Sequence, residues 1–186
     1  MSKTKVLAIG LVCIAASLAI AALASAELLH NGKKLEKNAV IEATGKVNVV
    51  GATVGVDCGK VDTVIDLDAT TQDLKATSYK VTEPTKNCTV TGEPASTGCQ
   101  VEAVTPTGLP WTGVVVGKSV VWVDTTVHYT LTCSKVFTVE GEATSTPDNA
   151  EAIKTLFPSG TMSSNFGSVE LSGELPVTPS GTYGIK

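Results

Sequence analysis

The stretch VHYTLTCSKVFTV, residues 127–139, alternates apolar and polar side chains on either side of a short polar break. A period of two is typical of a half-buried β-strand, because successive side chains point to opposite faces. The inward face of the first strand is then Val127, Tyr129, Leu131 and Cys133. Ser134-Lys135 interrupts the pattern before it resumes at Val136. This stretch therefore predicts an antiparallel hairpin with one apolar face.

The same alternation recurs along most of the chain, in which valine and threonine dominate. Further strands are predicted at Ala39–Val50, Val54–Cys58, Val61–Asp68, Lys75–Thr82, Cys99–Thr105, Trp111–Val116, Val120–Asp124, Val136–Ala143 and Val169–Val177. Gly59-Lys60 predicts a tight turn between the second and third of these. The apolar face of the third strand comprises Val61, Thr63, Ile65 and Leu67.

One segment, TPDNAEAIKTLFPSG at residues 146–160, departs from this pattern. Asp148 and Glu151 form a D-x-x-E capping box, and Ile153, Leu156 and Phe157 follow at helical spacing. The segment predicts one short helix near residues 147–157. Many short strands with a single helix predict an all-β fold, an antiparallel β-sandwich, with a β-barrel as the alternative.

The N-terminus has the three parts of a secretory signal peptide. Lys3 and Lys5 precede an apolar run from Val6 to Leu23, and Ala24-Ser25-Ala26 gives a small-x-small cleavage motif. An uncleaved membrane anchor is the alternative, because the run is long enough to span a bilayer. We predict a signal peptide at residues 1–26, a single β-domain at residues 27–186, and a secreted, extracellular or cell-envelope location.

The net negative charge of the mature chain disfavours two classes of partner. With Lys3 and Lys5 removed, twelve lysines face eighteen acidic residues, a net charge near −6, and the chain contains no arginine. Nucleic-acid binding is not expected, because it depends on clustered basic residues. The same sign of charge disfavours an anionic membrane surface once the signal is cleaved. The partner is left unknown, with an envelope protein or a glycan as candidates.

Four cysteines remain in the mature chain: Cys58, Cys88, Cys99 and Cys133. An even number in an exported protein predicts two disulfides, and three connectivities are open. CGKVDTV at residues 58–64 echoes CSKVFTV at residues 133–139. If these are two related hairpins facing across a core, the favoured pairs are Cys58–Cys133 and Cys88–Cys99. Ligand spacings typical of zinc are missing from the sequence, so no metal or other cofactor is expected.

Two other groups of residues could carry chemistry. His128 and Cys133 are five residues apart in one strand, which sends their side chains to opposite faces about 16 Å apart along it, so they cannot act as a nucleophile and base. Asp66, Asp68 and Asp73 crowd one end of a hairpin and are a weak surface cation candidate, although a solvated acidic face is the commoner arrangement. We therefore predict no catalytic residues and no enzyme.

Trp111 and Trp122, in GLPWTG and VVWVD, are the candidate ligand-binding residues. Tryptophan offers a large flat surface to sugar rings and to apolar molecules. Trp122 alternates with Val121 and Val123, which predicts that its side chain is partly exposed. Packing in the core or at its rim is the alternative role for both side chains.

Short motifs spread over the mature chain resemble a loose class of uncharacterised exported bacterial proteins rich in valine, threonine and glycine. The motifs are NGK at residues 31–33, GCQV at 98–101, GLPW at 108–111, TPDN at 146–149 and PSGTYGI at 179–185. The resemblance implies a secreted all-β domain and transfers no active site. The sequence thus favours an exported non-enzymatic module with a structural or interaction role. The alternative is a binding protein for a small apolar or carbohydrate ligand.

Overall fold

A computed structural model describes residues 26–186, and all but the last residue of the predicted signal peptide lies outside this range. Thirteen strands and two four-residue helices occur within it. The strands are β1 Leu28–His30, β2 Lys33–Lys34, β3 Ala39–Gly51, β4 Val54–Leu67, β5 Leu74–Lys80, β6 Cys88–Gly92, β7 Val101–Thr107, β8 Trp111–Val116, β9 Ser119–Leu131, β10 Val136–Pro147, β11 Thr155–Ser164, β12 Gly167–Thr178 and β13 Tyr183–Ile185. The helices are α1 Pro84–Asn87 and α2 Glu93–Ser96. The all-β prediction is confirmed.

Eight strands form a closed antiparallel barrel in which each pairs with the next along the ring: β3, β4, β5, β8, β9, β10, β11 and β12. The last of them closes on the first, with partners running from Val169↔Gly51 to Thr178↔Glu42. The alternative prediction, a barrel, therefore fits the structure better than a sandwich. A sandwich needs two separate sheets, whereas here one sheet curls until its ends meet.

Gly59-Lys60 is a β-bulge and not the predicted turn. The strand β4 runs through it without interruption, and both residues lie opposite Lys46 alone, between the pairs Val47↔Cys58 and Gly45↔Val61. A bulge adds one residue to one strand, which shifts the inward face by one position. Val54, Val56 and Cys58 are therefore buried before the bulge, and Val61, Thr63, Ile65 and Leu67 after it.

A second merger of predicted strands occurs in β9. The segments predicted at Val120–Asp124 and Val127–Cys133 form one strand, with Asp124 at a φ of 54°. Trp122 and Thr125 are both buried, so the inward phase shifts here as well. Beyond this point the predicted face of Val127, Tyr129 and Leu131 is buried, but Cys133 is exposed in the turn that follows.

The predicted helix near residues 147–157 is wrong. Its last three residues, 155–157, begin β11, in which Leu156 is buried while Phe157 is 41% exposed. The side chain of Asp148 accepts hydrogen bonds from the backbone amides of Lys154 (2.9 Å) and Thr155 (3.0 Å), and these two donors lower the pKa of Asp148. The capping residue therefore closes a β-loop, because an Asp that caps free amides does so in turns as well as in helices.

A small three-stranded sheet, in the order β13-β1-β2, covers one end of the barrel. It packs on residues 150–154, with Ile153 N donating to Tyr183 O at 2.8 Å and Ile185 N donating to Ala150 O at 2.6 Å. Leu28 and Ile185 are both almost fully buried there. This sheet closes the end of the barrel at which β4 turns into β5, since Leu28 N also donates to Gln72 Oε1.

The segment between β5 and β8 leaves the ring and returns to it at the opposite end of the barrel. Its strand β6 pairs with the first half of β4, and its strand β7 pairs with the second half of β9. Two disulfides fix this excursion, which we define as residues 81–107. Cys58–Cys88 joins β4 to β6, and Cys99–Cys133 joins the segment just before β7 to the β9–β10 turn.

The predicted disulfide pairing, Cys58–Cys133 with Cys88–Cys99, is wrong. Cys58 and Cys88 are direct cross-strand partners, with Cα atoms 4.0 Å apart. Cys99 and Cys133 have Cα atoms 5.4 Å apart. The echo between CGKVDTV and CSKVFTV is not a repeated hairpin, because the first copy spans a bulge within one strand and only the second spans a turn.

We expect the Cys99–Cys133 disulfide to be reduced before Cys58–Cys88 as the reductant concentration rises. Cys133 is exposed, whereas Cys58, Cys88 and Cys99 are all buried. A thiolate of the reductant therefore reaches the Cys99–Cys133 bond, through Cys133, more easily than the Cys58–Cys88 bond. Alkylation of freed thiols and peptide mapping would measure the order. Equal protection of the two bonds would contradict the expected order.

Removing the exposed bond with Cys99→Ala and Cys133→Ala should lower the free energy of unfolding by about 2–4 kcal/mol.

Candidate functional site

The interior of the barrel contains an apolar cavity of about 90 Å³. All eight strands of the ring contribute to its wall, which places it inside the barrel and not between the barrel and an outer element. One lining residue from each strand, in ring order, is Val49, Ile65, Ala76, Trp111, Tyr129, Val139, Met162 and Leu175. Eight-stranded barrels are just wide enough either to be filled by side chains or to hold one small ligand.

Both tryptophans singled out in the sequence lie on this cavity wall. Trp111 is 6% exposed and Trp122 is 7% exposed, so the prediction that Trp122 is partly exposed is wrong. The alternation in β9 does separate Trp122 from Val121 and Val123, but it is the two valines that face outward. A tryptophan flanked by valines cannot be oriented from sequence alone, because both faces are apolar.

Each indole ring is held by its single polar atom. Trp111 Nε1 donates to the carbonyl of Thr107 at 2.8 Å, and Trp122 Nε1 donates to Ser145 Oγ at 2.9 Å. The ring of Trp111 also packs on Tyr79, with centroids 5.6 Å apart. A buried indole N–H normally finds such a partner, and the bond fixes the orientation of the ring. The two rings are therefore positioned parts of the wall.

Five hydroxyl-bearing residues line the cavity, and three of them are neighbours on its wall. Thr63 and Tyr79 are cross-strand partners on β4 and β5, and the hydroxyl of Tyr79 neighbours that of Tyr129. Burial raises the pKa of Tyr79 well above its ordinary value and also raises that of Tyr129, so both phenols are neutral at physiological pH. Thr63 is 8% exposed, and its Oγ1 is buried without a hydrogen-bond partner.

The wall carries no group that is charged at neutral pH. Among the described residues lining the cavity there is no carboxylate, ammonium, imidazole or thiol. An apolar interior without a fixed countercharge strongly disfavours an ion, because the ion would lose its hydration without compensation. The arrangement can therefore hold an uncharged molecule, and its lining includes no side chain of the kinds that ordinarily titrate near neutrality.

The acidic residues proposed as a cation site organise the β4–β5 turn. Asp68 Oδ1 accepts hydrogen bonds from the amides of Thr70 (2.8 Å) and Thr71 (3.1 Å), which lower the pKa of Asp68. Asp66 is the cross-strand partner of Lys75, and the carbonyl of Asp73 accepts from the amide of Asp68. Within residues 26–186 no three acidic, cysteine or histidine side chains converge as metal ligands would.

The remaining candidates, His128 and Cys133, are not brought together. His128 Nδ1 lies 2.9 Å from Thr138 Oγ1 on β10, and Cys133 is bonded to Cys99. Sequence reasoning placed Thr63 and Tyr129 on inward faces but assigned neither a role at a site. The available signal was the single hydroxyl of Thr63 in an otherwise apolar set of Val61, Ile65 and Leu67. No such signal marked Tyr79, because a bulge in β5 shifts its inward face and breaks the alternation that would have placed this residue inside.

Replacing Thr63 by valine should stabilise the ligand-free protein or leave it unchanged. The substitution keeps the shape of the side chain and removes a buried hydroxyl that lacks a partner, whose burial costs about 1–3 kcal/mol. Urea unfolding of Thr63→Val would measure the change. A loss of more than about 1 kcal/mol would show that the hydroxyl has a hydrogen-bond partner.

Replacing Gly113 by alanine should displace Trp122 and destabilise the barrel. A Cβ at Gly113 would lie 2.7 Å from Trp122 Cζ3 and 2.8 Å from Val120 Cγ1, both closer than contact distance. Crowding of this kind costs about 1–3 kcal/mol. Thermal unfolding and near-ultraviolet circular dichroism would report the loss of stability and the changed indole environment. An unchanged spectrum would place Trp122 elsewhere.

No protein-family model, curated protein or solved structure matches this chain. In the part of the chain that the structure describes, no helix is long and apolar enough to cross a bilayer.

Proposed function

We propose that this chain is an exported, non-enzymatic protein that binds a small apolar molecule inside its barrel. One observation carries the proposal: an apolar cavity lies inside a closed barrel, with Trp111 and Trp122 both on its wall. Binding sites for small molecules are typically concave and apolar, with a few placed polar groups. This cavity is almost wholly apolar, and its few polar groups are hydroxyls, among them those of Thr63, Tyr79 and Tyr129.

Cavity size limits the ligand. Engineered cavities of about 150 Å³ accept benzene, whereas sites for drug-sized ligands occupy about 300–1,000 Å³. At about 90 Å³ the present cavity suits a molecule of only a few heavy atoms as it stands, and small side-chain movements would admit single-ring molecules such as benzene, toluene or phenol. An apolar ligand is favoured over a carbohydrate, because a sugar would bury many hydroxyl groups against a wall that offers few partners.

Support for a non-enzymatic role comes from the chemistry of the wall. The side chains facing the cavity are aliphatic, aromatic or hydroxyl-bearing, and the pKa values of both tyrosines are shifted away from neutrality. General acid–base catalysis at neutral pH requires a group that can exchange a proton near that pH. The role that this wall supports is binding.

Support for export comes from the cysteines. All four that lie in the described residues are joined in two disulfides. Structural disulfides persist in oxidising compartments and are rare in the cytosol. Together with the signal-peptide pattern at residues 1–26, this favours a secreted, extracellular or cell-envelope location.

A structural or interaction module that binds no small ligand is the second candidate. The outer face of β8 favours it, because Val114 is 40% exposed, Val116 is 46% exposed, and Val121 of β9 lies beside Val114. These side chains form a small apolar strip on the barrel wall. Exposed apolar patches often mark contacts with other proteins, although single exposed valines are common.

Toluene should bind inside the barrel and change the emission of its tryptophans. Both indoles line the cavity, so an occupant contacts them directly and also stabilises the folded state by mass action, by about 2.7 kcal/mol at a hundredfold excess over Kd. Fluorescence titration and thermal unfolding would measure the two effects. A panel of linear and cyclic hydrocarbons would then define the preferred size.

Two leucine substitutions at neighbouring positions of β5 distinguish binding inside the barrel from binding on its outer surface. Ala76→Leu places a larger side chain into the cavity and should abolish both effects. Lys75→Leu adds an apolar side chain one residue away on the exposed face and should leave them unchanged. Ala76→Val serves where the larger residue prevents folding. Equal binding to both leucine variants, or none to the native protein, would leave the ligand-free module as the better candidate.

A further inference from the structure

The polar groups of the cavity are gathered on one part of its wall. Thr63 and Tyr79 are direct partners across β4 and β5, and Tyr79 neighbours Tyr129 of β9 through its hydroxyl. The other hydroxyl groups on the wall are already engaged: Thr125 Oγ1 donates to Gly141 O at 2.6 Å, and Ser145 Oγ accepts from Trp122. The cavity surface is almost wholly apolar, and we call the part of its wall that carries Thr63, Tyr79 and Tyr129 the polar corner.

Thr63 is the unsatisfied member of this corner. Its Oγ1 is buried and has no hydrogen-bond partner, although the residue lies on the wall of a cavity. Buried hydroxyl groups in native proteins are nearly always paired, and an exception calls for a specific explanation. Valine would fill the same volume in the same strand without this cost, so the hydroxyl at position 63 needs a function.

We infer that the ligand of this cavity is an uncharged molecule with an apolar body and one hydrogen-bonding group, which pairs with the hydroxyl of Thr63 once rotation of that side chain brings its buried Oγ1 to the cavity surface. The inference rests on the proposed function and adds the chemical class: small neutral alcohols, phenols or ketones. Ions are excluded by the lack of countercharge on the wall. Polyols are excluded because the polar corner is confined to Thr63, Tyr79 and Tyr129.

Phenol and toluene form a matched pair of probes, because they differ by a hydroxyl in place of a methyl group. In Thr63→Val the affinity for phenol should fall by about fivefold or more, since a hydrogen bond is lost, while the affinity for toluene stays the same or rises. Thr63→Ser keeps a hydroxyl and should recover most of the preference for phenol. Thermal unfolding of each variant without ligand confirms that it is folded.

Thr125→Val is the control within the same cavity. Its hydroxyl is already bonded to Gly141, so the ratio of phenol to toluene affinity should not change. If Thr63→Val leaves that ratio unchanged, or weakens both probes equally, the anchoring role of Thr63 is overturned while binding inside the barrel stands. If the native protein binds neither probe, the proposed function and this inference both fail.

Discussion

The pairing of β12 with β3 is the constraint on which the rest of the structure depends. It joins the last barrel strand to the first and leaves the ring without a free edge between them. Once eight strands close, their number fixes the width of the interior, and side chains of ordinary size nearly fill it. The cavity persists because the wall includes small side chains such as Ala76, Ala143 and Thr63 among the larger ones.

Bulges allow long strands to serve this ring. β4 pairs with β3 along almost its whole length while its other edge is shared between β6 and β5, and the extra residue at Gly59-Lys60 keeps both halves facing inward. Without that shift, a strict period of two would turn one half of the apolar residues of β4 to solvent. The extra residue therefore lets a single strand support both the excursion and the main barrel.

Alternation located most of the long strands and the inward faces of β4 and of the second half of β9, because a period of two is a local property. It could not separate barrel from sandwich, since both place alternate residues inward and differ only in whether distant strands meet. The break in alternation at Gly59-Lys60 was predicted to be a turn, because a bulge and a turn interrupt a period of two in the same way. Disulfide partners and the cavity depend on non-local contacts. Trp111 and Trp122 were singled out for their size, but only the fold shows which way they face.

The seam between β5 and β8 has a dynamic consequence. These neighbours share only three residue pairs, Leu74↔Gly113 to Ala76↔Trp111, the shortest pairing in the ring. Local opening of a protein favours regions with the fewest backbone hydrogen bonds. Ala76, Tyr79 and Trp111 at this seam also line the cavity. Fluctuations that part β5 from β8 would expose the interior to solvent while the two disulfides hold the excursion in place, because the most weakly joined strands of the ring also form part of the cavity wall.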